Sequence, residues 1–339
     1  MRIGLVGYGA WGCMHASAIR GIPGLTLAGI VAHSDDSARA AAHDHPGVQV
    51  HRQLGDLLRD PAIDLADIVV PNFLHAEMAI AALAAGKHVL LEKPLATTIA
   101  DAERVVNAAE SSGRYLGVNL ELRVSKQWSR VQALIAEGAI GTPRYANLAL
   151  FRRPFRPGSG GWRRQADKVG SWILEEPVHY IDLLLWYFAA CGGPVEVEAF
   201  AIPSTAGPRM HDAFTCVLRF ASGAYAVFSQ CVSGFQHSLT LELAGDAGAV
   251  RSWWAGAMDR SLEPAFEMKV QRPGAAAAEI VPIEKSGEVF ELAEQLRRLL
   301  DDAPRRTPLV SAREAMRSVK VCLEAERSLM ERRPVSLAW

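Results

Sequence analysis

The 339-residue chain predicts an α/β fold in two parts: an N-terminal doubly wound parallel sheet and a C-terminal α/β domain with an open, mainly antiparallel sheet. Three observations predict it. From residue 1 to about 120, short β-type runs alternate with Ala-rich helical stretches, the pattern of a parallel sheet covered by helices. A glycine-rich turn, Gly7-Tyr8-Gly9-Ala10-Trp11-Gly12, joins the first strand to the first helix. Beyond about residue 123 the β-type runs lengthen and take period-2 character. The expected division is a domain of residues 1–122 and a domain of residues 123–339.

In order, Arg2 to Val6 reads as the first strand, Cys13 to Arg20 begins the first helix, Leu25 to Val31 is the second strand, and Ser37 to His43 is the next helix. Ile68-Val69-Val70 reads as a short buried strand ending at Pro71-Asn72. A helix from Ala76 to Ala85 follows and is stopped by Gly86. Val89-Leu90-Leu91 is a further strand. Ile99 to Ser112 is helical, closes at Gly113 and leads to Tyr115 to Val118, the last strand of the first domain. In the second domain, Ala213 to Phe220, Ala224 to Ser229 and Ser238 to Leu243 are strands joined by Gly-containing turns. Helices from Val178 to Phe188 and from Glu288 to Leu300 are expected to cover that sheet, and Ser311 to Glu331 is a long terminal helix. Phe151 to Arg164 reads as a loop and Pro273 to Ala278 as a surface turn.

Composition narrows the classes. Hydrophobic residues make up 50% of the chain and charged residues 22%, which excludes disordered and fibrous proteins. Lys and Arg total 36 against 37 Asp and Glu, so no global field draws the chain to nucleic acid or to an anionic membrane. The arginines near residue 160 come with neither a reading helix nor an aromatic sheet platform. Five scattered cysteines form no C-x-x-C pair and fit a reduced, cytoplasmic setting. Ile3 to Gly7 runs straight into the glycine turn with no cleavage pattern, so it reads as a strand and not a leader. The apolar stretch Leu183 to Cys191 falls far short of the roughly 20 residues that span a bilayer, so no membrane segment is expected. The ten histidines show no metal-ligand spacing, and no metal site is expected.

Gly7, Gly9 and Gly12 follow a strand and open a helix at the start of a βαβ unit. They predict a dinucleotide whose pyrophosphate rests on the backbone amides of the turn, alongside Tyr8, Ala10 and Trp11. The ribose end is read from Ala32-His33-Ser34-Asp35-Asp36. Asp35 can take ribose hydroxyls, as NAD requires. His33 and Ser34 can equally receive the phosphate of NADP, with Arg39 the nearest guanidinium, and Asp35 and Asp36 can instead cap the Ser37 helix. The balance leans slightly to NAD. Pro71 and Asn72 stand at the carboxyl end of a strand, the edge where open α/β sheets bind ligands, and Asn72 is expected on the cofactor. His75 either joins it or serves the N-terminus of the Ala76 helix.

Lys93, in Glu92-Lys93-Pro94, directly follows an apolar strand. Desolvating its ammonium is costly unless a carboxylate, a cofactor or a substrate oxygen compensates it. Both Glu92 and Lys93 are therefore expected at the cofactor, the bland alternative being a salt bridge between them. In Glu175-Glu176-Pro177-Val178-His179, an acid and an imidazole stand at i and i+4 and on one helix would face the same way. Otherwise Glu175 and Glu176 only charge the helix N-terminus. Asp182 either pairs with His179 or faces solvent, and it is counted with the candidate substrate contacts. Asn119, after the last strand of the first domain, is a candidate substrate contact. Arg152, Arg153, Arg156, Arg163 and Arg164 crowd around Phe151, Phe155 and Trp162. They suit an acidic substrate gripped by guanidinium forks, or a solvated loop that covers acids or an oligomer contact.

The glycine turn, Pro71-Asn72-Phe73-Leu74-His75, Glu92-Lys93-Pro94, Glu137-Gly138-Ala139-Ile140-Gly141, Trp162-Arg163, His179 to Leu184 and Ser311 to Ala315 together resemble the Gfo/Idh/MocA family of oxidoreductases over nearly the whole chain. The resemblance implies a Rossmann domain followed by an α/β domain, with sugars or cyclic polyols as substrates. It implies that Lys93 lies beside the nicotinamide, that a cis bond precedes Pro94, and that Trp162 and Arg163 lie near the sugar pocket. An ammonium there stabilises alkoxide character at the reacting oxygen, and His179 is suited to take the hydroxyl proton. The family usually carries Asp where Glu175 stands and Gly where Pro177 stands. Two other readings are a dinucleotide-sensing regulator without turnover and redox-assisted glycoside cleavage with a retained cofactor. The open sheet face needs a cover, which implies a homodimer or homotetramer.

Overall fold

The computed structural model describes residues 1–154, 158–204, 210–234 and 236–339, and the chain divides into two compact units. The first comprises Met1–Leu120, Asp167–Gly170 and Leu292–Val319. Its strands are β1 (Arg2–Val6), β2 (Thr26–Val31), β3 (Gln49–His51), β4 (Leu65–Ile68), β5 (His88–Glu92) and β6 (Leu116–Asn119). They form one all-parallel sheet in the order β3-β2-β1-β4-β5-β6. That order reverses between β1 and β4, which opens a crevice at the carboxyl ends of the strands. β4 and β6 are buried along their whole length, as helices on both faces of a parallel sheet require.

Local chemistry sets the helix ends. Ile99–Ser112 starts where the Thr98 hydroxyl accepts a hydrogen bond from Asp101 N at 3.1 Å, and it stops at Gly113, whose φ of +59° is left-handed. The fourth strand corrects the expectation of Ile68 to Val70: it is Leu65–Ile68. The apolar run is interrupted there by Asp67, which is fully buried, and Val69 already lies past the strand with its N–H on Val6 O at 2.8 Å. β3 and the helix Leu54–Leu58 are too short to leave a periodic signal.

A second correction concerns Glu288–Arg305. Its residues Leu292, Leu296, Leu299 and Ala303 join Ile3, Leu5, Ile19 and Ile30 in one buried cluster of the first unit, so from Leu292 onward the helix serves that core. The spacing i, i+4, i+7, i+11 puts these four on one stripe. Just beyond, Ser311 bridges Gly117 and Val310 O accepts from Val118 N at 3.1 Å.

The second unit comprises Glu121–Ala166, Ser171–Glu291 and Lys320–Trp339. Its strands are β7 (Pro143–Phe151), β8 (Pro194–Pro203), β9 (His211–Phe220), β10 (Tyr225–Cys231), β11 (His237–Gly245), β12 (Ala249–Gly256), β13 (Ala265–Gln271), β14 (Glu279–Ile280) and β15 (Val335–Ser336). They form a nine-stranded sheet, order β14-β13-β12-β11-β7-β10-β9-β8-β15, in which, among the described residues, β7 and β10 run parallel and the other neighbours antiparallel. Alternation is clean along β10, where Ala226, Phe228 and Gln230 are buried and Tyr225, Val227 and Ser229 are not. Helix Pro177–Tyr187 covers the buried face, with Tyr180 stacked on Phe228 at 5.0 Å. No helix among the described residues is long and apolar enough to cross a membrane. The five cysteines are free.

Candidate functional site

In the first unit the site begins at the glycine turn. Gly7 has φ +105°, and a Cβ there would stand 2.1 Å from Val69 O; one on Gly12 would stand 2.2 Å from Gly7 O. Both positions therefore need glycine for close backbone packing. Gly9 differs: it is the N-cap of helix Ala10–Gly21, and a Cβ on it would meet nothing within 4 Å. The space in front of Gly9 is open, no side chain caps the helix, and no acid stands in its first turn. The turn thus offers unscreened amides to an anion, and these residues fit a dinucleotide pyrophosphate. Tyr8 turns inward and donates to Asp44 Oδ2 at 2.8 Å. Trp11 Nε1 donates to Glu92 Oε1 at 2.9 Å.

At the ribose end His33, Ser34, Asp35 and Asp36 are exposed. Ser34 is the N-cap of helix Asp35–Asp44, accepting from Ser37 N at 3.1 Å, so the cap falls to the hydroxyl and the two acids occupy the first turn. Asp35 Oδ1 accepts from Arg52 Nη2 at 2.6 Å, while Arg52 Nη1 donates to Ser34 O at 2.9 Å. Arg39 pairs with Asp36. Arg52 lay too far along the sequence to be noticed.

The other predicted residues of this unit stand at the same carboxyl edge. Asn72 Nδ2 donates to Val169 O at 3.2 Å. His75 is fully buried, with Nδ1 2.6 Å from Pro94 O and Nε2 2.9 Å from Val70 O. Its ring spans two carbonyls in the interior and neither caps the helix His75–Ala84 that it opens nor reaches outward. The Lys93–Pro94 bond is cis. Lys93 is half-buried and follows Glu92, whose Oε1 accepts from Asn119 Nδ2 at 2.5 Å as well as from Trp11. Asn119, the candidate substrate contact, thus uses its Nδ2 on Glu92, while its Oδ1 has no partner.

Sequence reasoning missed the partner beneath Glu92. His15 is fully buried, its Nδ1 2.8 Å from Asp67 Oδ2 and its Nε2 3.2 Å from Glu92 Oε1. Burial pushes the His15 imidazole down, but the charges and hydrogen bonds of Asp67 and Glu92 outweigh it and bring the group up to about 10. Burial likewise pushes the Glu92 carboxyl up, and His15, Lys93 and Asn119 together bring it down to about 2. The turn at Lys93 therefore follows a buried carboxylate whose neighbours favour its ionised form.

The second unit carries the acid and the imidazole. Glu175 and His179 do not share one helix turn: Trp172–Glu175 ends, Glu176 has φ −129° and ψ −51°, and Pro177 opens Pro177–Tyr187. Proline drives its predecessor out of the helical region, which breaks the expected i, i+4 pairing. Glu175 instead accepts from Arg163 Nε, and His179 Nδ1 lies 3.4 Å from Glu121 Oε2. Glu176 binds Arg152, whose other nitrogen is 3.4 Å from Asp259 Oδ2. Asp182 neither pairs with His179 nor faces solvent; it is buried and accepts two hydrogen bonds from Arg123 at 2.7 and 2.8 Å. Trp162 lies in the turn Ser159–Arg164, with the Arg163 guanidinium 4.8 Å from its ring centre. Arg156 and Phe155 lie outside the described residues. Glu121 and Arg123 were overlooked; their signal was a charged pair directly after a buried strand. An imidazole backed by a carboxylate can accept a proton and have the resulting charge stabilised.

Comparison with known proteins gives concordant matches. Residues 1–120 match a family model described as oxidoreductase family, NAD-binding Rossmann fold, and residues 128–251 match one described as GFO/IDH/MocA C-terminal domain. The chain is 32% identical over 253 residues to a 1,5-anhydro-D-fructose reductase of Ensifer adhaerens, a match spanning 71% of this chain and 74% of that protein. It is 32% identical over 255 residues to an inositol 2-dehydrogenase of Acidothermus cellulolyticus, spanning 74% and 72%. Among solved structures, an oxidoreductase domain protein from Kribbella flavida aligns with a TM-score of 0.83 over 99% of each chain, at 24% identity, which is a likeness of fold.

Proposed function

The chain belongs to the Gfo/Idh/MocA family of oxidoreductases, and on that footing we propose that it transfers a hydride between a nicotinamide dinucleotide and a carbon of a sugar or cyclic polyol. The observation that carries the reading is the occurrence, at one edge of one parallel sheet, of an open glycine turn at Gly9 and of a lysine directly after the buried Glu92. When bound, the nicotinamide supplies or accepts the hydride. Lys93 donates a hydrogen bond to the oxygen on the reacting carbon, where it stabilises negative charge as the carbon–oxygen bond changes order. His179 exchanges the hydroxyl proton at Nε2, and Glu121, facing Nδ1, orients the ring and stabilises it when charged.

The arginines favour an uncharged substrate. Arg152 and Arg163 each bind a carboxylate of this chain, so an acidic sugar would have to displace Glu176 or Glu175, whereas hydroxyl groups can bridge such pairs. At the ribose end Asp35 alone points to NAD. Its pairing with Arg52 is an exposed contact of small value that a 2′-phosphate can replace, so we assign the Ser34 and Arg52 pair to acceptance of NADP. Self-association through the half-exposed sheet face around Tyr145 and Tyr225, which meet edge to face at 5.1 Å, is part of the same reading.

The test is steady-state turnover of neutral polyols and aldoses against uronates with each dinucleotide, for wild type, Lys93→Met and His179→Asn. Each substitution is expected to lower kcat by about 100-fold or more while dinucleotide affinity stays within about threefold. Wild-type kcat in Lys93→Met refutes the assignment.

A further inference from the structure

Outside the groups given roles above, the most unusual arrangement is the buried row Asp67, His15, Glu92. Three elements supply it: β4 gives Asp67, the first helix gives His15, and β5 gives Glu92, directly before Lys93. Asp67 and His15 are fully buried, and Asp67 Oδ1 has no hydrogen-bond partner, so the carboxylate is compensated through His15. Nδ1 of His15 is hydrogen-bonded to Asp67 Oδ2 at 2.8 Å, and Nε2 stands 3.2 Å from Glu92 Oε1, an ion-pair distance without hydrogen-bond geometry, and has no other partner. A neutral imidazole carries only one N–H and would turn a lone pair on one of those anions. The other groups around the row are Trp11, edge-on to His15 at 5.3 Å, Asn119 on Glu92, and the buried His75, which feels the charges of Glu92 and Lys93 and whose imidazole burial pushes down. With His15 protonated the row alternates in sign, from Asp67 through His15 and Glu92 to Lys93.

We propose that Asp67 and His15 are positioning residues for Lys93, with the imidazolium anchoring the carboxylate of Glu92, the residue directly before the lysine. The inference rests on the role given to Lys93 above. The direction in which both groups are displaced, His15 upward and Glu92 downward, agrees with the geometry. Without a charge on His15 two buried carboxylates stand on one ring. Glu92 must then take a proton or turn away, and the lysine loses the fixed anion beside it. Neither residue touches the reacting atoms; their effect passes through Glu92.

Two measurements on the full-length protein test this. Long-range 1H–15N correlation spectra of protein labelled at histidine, taken from pH 6 to 9.5, are expected to show one imidazole that keeps both protons to pH 9, and that loses this behaviour in Asp67→Asn. Loss of the second proton from every ring by pH 8.5 overturns the proposal. Asp67→Asn is also expected to lower kcat by about 10- to 100-fold, as displacement of a catalytic group by about 1 Å does, with dinucleotide Kd within about threefold of wild type. A folded Asp67→Asn protein with wild-type kcat overturns it too. If that protein does not fold, Glu92→Gln takes its place, with the same kinetic criterion and with the His15 imidazole expected to lose its second proton at lower pH than in wild type; an unchanged His15 titration with wild-type kcat overturns the proposal. Lys93→Met is measured alongside: full activity there defeats the role of Lys93 itself, whereas an inactive Lys93→Met beside a fully active Asp67→Asn defeats only the positioning role.

Discussion

Gly9→Ala separates cofactor docking from folding. The backbone at Gly9, φ −93° and ψ −169°, is open to any residue, and the added methyl would touch nothing within 4 Å. Alanine is a poorer N-cap than glycine, but it also restricts the unfolded chain, and these two effects of about 0.5–1 kcal/mol oppose each other. Stability should change by less than about 1 kcal/mol, or about 3 °C in Tm. The methyl would, however, stand in the space the pyrophosphate is expected to fill. Crowding of this kind costs about 1–3 kcal/mol, which at 1.4 kcal/mol per decade weakens binding about 5- to 150-fold. Gly12→Ala is the complement, because its Cβ would stand 2.2 Å from the backbone oxygen of Gly7 and no rotamer relieves that contact. It should lower Tm as well as affinity. The assays are calorimetric melting of ligand-free protein and titration of NADH and NADPH fluorescence. Wild-type affinity in Gly9→Ala would refute docking at this turn, and an unchanged Tm in Gly12→Ala would refute the close approach.

Glu121→Gln removes the carboxylate behind His179 and should lower kcat by about 10-fold, less than the 100-fold or more expected for losing the base itself; equal kcat in steady-state assays counts against its orienting role. Asp182→Asn leaves the buried Arg123 guanidinium without its anion and should cost about 3–5 kcal/mol, read from the urea midpoint. Burial pushes the Glu291 carboxyl up to about 7, against hydrogen bonds from Ser125, Ser286 and Gly287 N. The native state therefore holds this proton more tightly than the unfolded chain. Its contribution to stability is full below about pH 4.5 and is lost as pH rises through about 7, on the order of 3 kcal/mol in all. Glu291→Gln should flatten the difference in urea midpoint between pH 5 and pH 8, and an unchanged slope would rule out this carboxyl as its source.

The parallel sheet was largely legible because its signals are local. Glycines mark the first turn, and Thr98 and Gly113 bracket a helix whose ends fall where the sequence places them. The elements that escaped depend on distant partners. Asp67 breaks an apolar run, so β4 starts three residues and ends two residues before the expected place, and His15, far away in sequence, explains how a strand tolerates that charge. The apolar stripe of Glu288–Arg305 is plain in sequence, but nothing local says which core it enters. At the candidate site Gly7 to Gly12, Glu92, Lys93 and His179 were legible by motif. Their partners His15, Glu121 and Arg52 were not, because a single polar residue at helical or loop spacing carries no signal until the fold brings it to a charge.

The first unit also has an awkward order of synthesis. Ile3, Leu5 and Ile30 share their buried cluster with Leu292, Leu296, Leu299 and Ala303. A ribosome adding roughly 5–20 residues per second needs about 10–40 s to make the roughly 180 residues from Leu120 to Ala303. During that interval the nascent sheet exposes the apolar surface this late helix will cover, a surface open to chaperones and to premature association. Truncation before Leu292 would make that exposure permanent, so the Rossmann half should be insoluble when expressed as residues 1–120 alone.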